Sequence, residues 1–229
     1  MNKRILMVLT SNDRMGESGK PTGLWAEELA APYYALQDAG AVITLASTRG
    51  GRAPIDPGSL KARGQNEPAV ERMLGDDALL RAVEHTRHVD ELAIDDFDAV
   101  FFPGGHGTMW DLPASAGVTK VVEGAYRQQK VIAAVCHGVA GLVTARRDDG
   151  RPIVDGRRIN SFTDAEEDEV GLADVVPFRL ESRLRELGAR FEGAPNWQSF
   201  AVRDGTLVTG QNPQSSGRVA ELVLQALAG

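Results

Sequence analysis

A chain of 229 residues that is 42% hydrophobic and 25% charged can bury a sizeable core and suits a single α/β domain spanning 1–229. Its formal net charge of −7 argues against general nucleic-acid binding, which needs a basic face, and its one cysteine excludes both an internal disulfide and a multi-cysteine zinc site. After Met1-Asn2-Lys3-Arg4 comes an apolar run too short for a signal peptide, and no stretch approaches the length of a membrane span. A cytoplasmic protein with no membrane association is therefore expected.

Short apolar runs recur along the chain at 5–9, 42–46, 99–102 and 131–135. Continuous apolarity, rather than alternation, marks strands covered on both faces of a parallel sheet, so a three-layer α/β/α sandwich with a mainly parallel central sheet is predicted. The first helix is expected over about 23–39, with Trp25, Leu29, Pro32 and Leu36 on one stripe. Between 47 and 97 lies a segment too long for a simple crossover, read as an insertion with helices of its own. A strand-like run covers 158–163. Leu180, Leu184 and Leu187 then share a helical face before Gly188. Segments 200–202 and 207–209 flank Asp204-Gly205 as a hairpin, and Asn212-Pro213 opens a last helix carrying Val219, Leu222, Val223, Ala226 and Leu227.

The fourth run ends in Cys136-His137-Gly138. A strand turning sharply into a helix would hold Cys136 at the carboxyl end of the sheet beside the helix's positive end. A free thiol has a pKa of roughly 8.5, and such a setting lowers it. Nucleophile and buried structural cysteine both remain open from these residues alone. The run 99–102 leads into Pro103-Gly104-Gly105-His106-Gly107, where the N–H of Gly105, with that of His137, is placed to hold an oxyanion near Cys136. Glu28 falls on the edge of the first helix's apolar stripe and is expected to be half buried. A buried carboxyl without a cation stays protonated. The four histidines are His85, His88, His106 and His137, and none follows His137, so a hydrolytic triad with a distant downstream histidine cannot be built. His85 and His88 sit in a polar segment. Any acid orienting a histidine would come from Asp164, Glu166, Glu167, Asp168 or Glu169.

Taken in order, Thr22-Gly23-Leu24-Trp25-Ala26-Glu27-Glu28-Leu29-Ala30-Ala31-Pro32, Gly104-Gly105-His106-Gly107, Ala134-Val135-Cys136-His137-Gly138, Phe162-Thr163-Asp164-Ala165-Glu166-Glu167 and Thr209-Gly210-Gln211-Asn212-Pro213 resemble the ThiJ/PfpI superfamily. Within it the chain is similar to the heat-shock-protein-31 branch of cofactor-independent glyoxalase III enzymes. The resemblance covers nearly the whole chain. One departure is Ala134, where the usual elbow has glycine; alanine is small enough for the turn. The resemblance implies a flavodoxin-like, class I glutamine amidotransferase-like fold, a homodimer, and conversion of methylglyoxal, a small 2-oxoaldehyde, to lactate without glutathione, cofactor or metal. It implies Cys136 as nucleophile, His137 as its partner, Glu167 as the acidic third member and Glu28 as the carboxyl hydrogen-bonded to the cysteine, with Gly105 and His106 on the substrate side. A holding chaperone, a protein deglycase with an oxidation-sensitive cysteine and, more weakly, an amidase or peptidase are the alternatives.

Overall fold

The computed structural model describes residues 3–228; Met1 and Asn2, which begin the amino-terminal segment considered above, and Gly229 lie outside the described residues. The strands are β1 (Arg4–Leu9), β2 (Val42–Ser47), β3 (Arg87–His88), β4 (Ala99–Phe102), β5 (Val131–Val135), β6 (Arg158–Ile159), β7 (Arg190–Phe191), β8 (Ala201–Asp204) and β9 (Leu207–Gly210). The helices are α1 (Ala26–Asp38), α2 (Pro68–Leu74), α3 (Asp77–Glu84), α4 (Thr108–Asp111), α5 (Ala116–Arg127), α6 (Asp164–Glu169), α7 (Leu180–Glu186) and α8 (Ser216–Ala228). A seven-stranded sheet runs β3-β2-β1-β4-β5-β9-β8, parallel throughout except for the β8/β9 hairpin. This is the mainly parallel α/β/α sandwich that the four apolar runs predict, with the flavodoxin-like fold that the resemblance implies.

Alternation along β1, β4 and β5 explains why their runs carry no polar residue. Leu6, Val8, Val100, Phe102, Ile132 and Ala134 point to one face, where they meet Val118, Val121, Val122 and Ala125 of α5. Ile5, Met7, Leu9, Ala99, Phe101, Val131, Ala133 and Val135 point to the other, against Leu29 and Leu36 of α1 and Val219, Leu222 and Val223 of α8. Both faces are roofed by helices there, so every position of these runs is apolar, whereas β2, nearer the sheet edge, carries Thr44 and Ser47.

Two elements differ from the sequence reading. The run 158–163 is a strand only over Arg158–Ile159, and it pairs with β7 outside the main sheet because Asn160 and Ser161 turn the chain inward. The last helix is entered through a 3-10 turn at Pro213–Ser215, closed by reciprocal hydrogen bonds between Asn212 and Ser215. Segment 48–98 carries α2, α3 and the edge strand β3 together with 3-10 turns. Val70, Met73, Leu79 and Val83 seat its helices on the core shared with α1. Among the described residues no helix is long and apolar enough to cross a membrane.

In sheets of this kind ligands bind beyond the carboxyl ends of the strands, where the strand order reverses. Here β4 and β5 are paired with Phe102 opposite Ala134, and β5 and β9 with Val135 opposite Gly210. That register delivers the glycine turn after β4, Cys136 after β5 and Gln211-Asn212 after β9 to one edge.

Candidate active site

Cys136 sits at φ +56°, in the left-handed region that a side chain with a Cβ rarely adopts. Strain of that kind, of order 1–3 kcal/mol, persists only where the surroundings hold it. The turn is tight because Gly138 lies against the end of β4. A Cβ there would come within 2.2 Å of the Phe102 carbonyl oxygen, so only glycine fits. After β5 the chain forms a 3-10 stretch over Cys136–Leu142 rather than the α-helix expected at the elbow.

A chain of contacts runs back from the sulfur. Cys136 Sγ is 3.3 Å from His137 Nδ1, and His137 Nε2 is 2.7 Å from Glu167 Oε2. The other oxygen of Glu167, Oε1, is 2.9 Å from His106 Nε2. Burial works against charge on Glu167, but His137 and His106 outweigh it and hold the carboxyl well below the ordinary carboxylate range. Burial first, and His106 beside it second, push His137 down to about 4 against the pull of Glu167. At neutral pH Glu167 is therefore a carboxylate that accepts one N–H bond from each ring, and the His137 ring is neutral. Each ring carries its proton on Nε2 and leaves Nδ1 basic. His106, His137 and Glu167 are also the one group among the described residues whose donor atoms lie close enough together, within 4.8 Å, to share a metal ion.

Glu166, Glu167 and Glu169, all open as candidates from sequence, divide cleanly. Glu166 is fully buried and bonds backbone and amides. Its Oε2 accepts from the N–H and hydroxyl of Thr163, and its Oε1 from Trp197 N–H, Gln211 and Asn212. Glu169 is exposed and holds Asn196 and the Trp197 indole N–H. Only Glu167 reaches the histidines. Elsewhere, His85 is exposed and His88 caps a 3-10 turn at the far edge of the sheet.

Two sequence expectations need correction. Glu28, expected at half burial, is 0% exposed, because the glycine turn after β4 closes over it. A Cβ on Gly104 would lie 2.4 Å from Glu28 Oε2. Neither oxygen makes a hydrogen bond of normal geometry. Burial drives its pKa well above the ordinary value, although Cys136 and the Gly104 N–H act the other way, so Glu28 is a neutral acid with a proton to donate. The second correction concerns the thiol, for which the elbow predicts a lowered pKa. Cys136 is only 3% exposed, and burial, followed by Glu28, pushes it well above its ordinary value against the N–H of His137. Burial wins because the positive end expected to counter it is one short 3-10 stretch. The resting thiol is protonated, with His137 Nδ1 as its acceptor.

The sulfur nevertheless reaches open space. A cavity of about 80 Å³ is lined by Trp25, Glu28, Gly105, His106, Cys136, His137, Phe162, Val170, Trp197 and Pro213. Gly105 adopts φ +104°, and an added Cβ would strike the Gly23 carbonyl. Phe162 packs on the His137 ring at 4.4 Å between centroids. The sequence does not single out Trp25, Phe162 and Trp197 as walls of a site. Trp197 is held at φ +63° by its bonds to Glu166 and Glu169, a conformation no sequence pattern announces. The sequence does carry a capping-box signal in Thr163-Asp164-Ala165-Glu166, which would have committed Glu166 to Thr163 and left Glu167 free for the histidines.

Fold and site together define a doubly wound α/β protein with a cysteine on a strained strand-to-helix elbow, backed by histidine and carboxylate. The sequence pattern of the DJ-1/PfpI family matches residues 22–226, and the chain belongs to that family. It is 30% identical to glyoxalase 3 of Candida albicans, over 97% of this chain and 98% of the relative. It is 31% identical to the glutathione-independent glyoxalase hsp3101 of Schizosaccharomyces pombe, over 90% of this chain and 88% of the relative. Among solved structures, the Rapid Encystment Protein 24 KDa of Francisella tularensis is similar at 41% identity with a TM-score of 0.94, covering 98% of this chain and 99% of that one.

Proposed function

We propose that this protein is a glutathione-independent glyoxalase that converts methylglyoxal to lactate, with Cys136 as nucleophile. The observation that carries the reading is the convergence of a thiol, a basic imidazole nitrogen and a neutral carboxyl on one small cavity. His137 Nδ1 takes the thiol proton as sulfur attacks the aldehyde carbon, and passes it to the new alkoxide. The Gly105 N–H, which donates to no group among the described residues, steadies that oxygen. Glu28 donates its hydrogen bond to the sulfur as charge develops there. The freed His137 Nδ1 then moves the carbon-bound hydrogen to the neighbouring carbon through an ene-diol, leaving a thioester that water releases as lactate. Purified protein incubated with methylglyoxal and no glutathione is expected to form lactate. Consumption of methylglyoxal without lactate would end the proposal.

The small cavity, about 80 Å³, favours a small carbonyl substrate over a peptide or an amide of a large one. A protonated, buried thiol is a poor oxidation sensor, because oxidation follows thiolate character and exposure.

Glu28→Gln tests the neutral acid. The amide can still donate a hydrogen bond but is a weaker donor, so kcat is expected to fall by about 10-fold with little change in KM. Stability responds in the opposite sense. The folded pKa of Glu28 lies above its unfolded value, so its contribution is complete below the ordinary carboxylate value and is lost as pH rises toward the raised one. The glutamine variant has no such slope. Urea titrations from pH 5 to 8 should show the variant gaining on wild type as pH rises; parallel curves would mean that Glu28 is ionised in the fold.

A further inference from the structure

Glu167 spends both oxygens on histidines, one each, and the proposed chemistry uses only one of the two rings. His106 lies 4.0 Å from His137 between ring centroids, tilted 40°, with Phe162 edge-on at 5.9 Å. Its Nε2 is committed to Glu167. Its Nδ1 has no hydrogen-bond partner among the described residues, yet is absent from the fully buried unpartnered atoms, so it is accessible on a residue that lines the cavity with Cys136. A carboxylate that fixes a second imidazole in the same tautomer as the first, and leaves its other nitrogen accessible on a ring lining the reacting sulfur's cavity, prepares a second base.

We propose that His106 is a second catalytic residue, carrying the hydroxyl proton between the two substrate oxygens. This rests on the glyoxalase reading above. Isomerisation of the thiohemiacetal to the thioester moves two hydrogens in parallel. The carbon-bound hydrogen passes from the first carbon to the second. The hydroxyl proton leaves the first oxygen, which becomes the thioester carbonyl, and arrives on the second, which becomes the lactate hydroxyl. One base cannot serve both at once. His137 Nδ1, beside the sulfur, serves the carbons; His106 Nδ1 accepts the proton from the first oxygen and returns it to the second. Protons and electrons balance with no further reactant until water cleaves the thioester. The two rings share one carboxylate, which fixes both with a proton on Nε2 and leaves each Nδ1 free to accept.

The test uses His106→Gln, whose amide keeps a donor toward Glu167 but cannot shuttle a proton, and His106→Ala, which leaves room for added imidazole. Lactate formation and acid-quenched mass spectrometry of the Cys136 peptide are followed together. The glutamine variant is expected to lose about 10²-fold in kcat with KM within about 3-fold, while still forming the Cys136 adduct. The alanine variant should regain activity with imidazole, and the glutamine variant should not. If wild type makes lactate and His106→Gln retains more than about half of its kcat, the role of His106 is overturned and the glyoxalase reading stands. Where the alanine variant fails to fold, the glutamine variant alone decides. If wild type makes no lactate, both fall.

Discussion

Cys136→Ala is expected to reduce lactate formation by about 10⁴-fold or more while leaving the fold intact, since removing the nucleophile of a unit that acts together removes nearly all it contributes. Alanine keeps the backbone and Cβ, tolerates φ +56° no worse than cysteine, and deletes only the sulfur whose contact with His137 Nδ1 is 3.3 Å. The thermal midpoint should therefore stay within a few degrees of wild type. Loss of activity with an unchanged melt assigns the effect to chemistry. Retention of more than a tenth of the wild-type rate would place the reaction on another group.

Glu167→Gln should cost about 10²–10⁴-fold in kcat. Replacing the triad carboxylate by an amide in serine proteases costs about 10⁴ by leaving histidine in the wrong tautomer. Here the effect acts on two rings. An amide offers one acceptor and one donor, so at most one of His106 and His137 can keep its proton on Nε2. The other must turn its protonated nitrogen toward the cavity and lose its basic one. Stability should fall as well, and its pH dependence should change in a definite sense. In wild type the lowered values of Glu167 and His137 mean that the unfolded chain binds more protons. Stability is therefore lost as pH falls from about 6.5, the ordinary histidine value, through about 4 and below. Removing the carboxylate should flatten only the part of that limb below about 4.5, the ordinary glutamate value; the histidine part persists, because Glu167 pulls His137 up and its loss leaves burial to hold the ring down. Activity within about threefold of wild type would show that the histidines need no carboxylate to orient them.

The layered fold was legible because strands roofed on both faces leave an unbroken apolar run, as in β1, β4 and β5, and β2 breaks its run only at Thr44. The elbow was legible because a reactive side chain followed by small residues ends such a run. What escaped the sequence is set by packing between distant segments. Glu28 lies on the edge of its own helix's apolar stripe, and its complete burial comes from Gly104, which approaches from β4. The charge state of Cys136 depends on how much protein covers it against how strong the helix end is, and the sequence reveals only the second. Glu166 and Glu167 are adjacent on α6, about 100° apart, so one points to Asn212 and the other to the histidines. The pairing of His106 with His137 joins residues from the segments that follow two strands, β4 and β5, through a carboxylate on α6. No local pattern records it.

The most direct test is to find the sulfur–carbon bond. Wild-type protein mixed with methylglyoxal, quenched in acid within the first turnovers and digested, should carry one methylglyoxal mass on the peptide containing Cys136. Its abundance should rise in Glu167→Gln, where later proton transfers are slowed, and vanish in Cys136→Ala. Lactate released steadily by an enzyme whose Cys136 peptide stays unmodified at every quench time would contradict covalent catalysis at this cysteine.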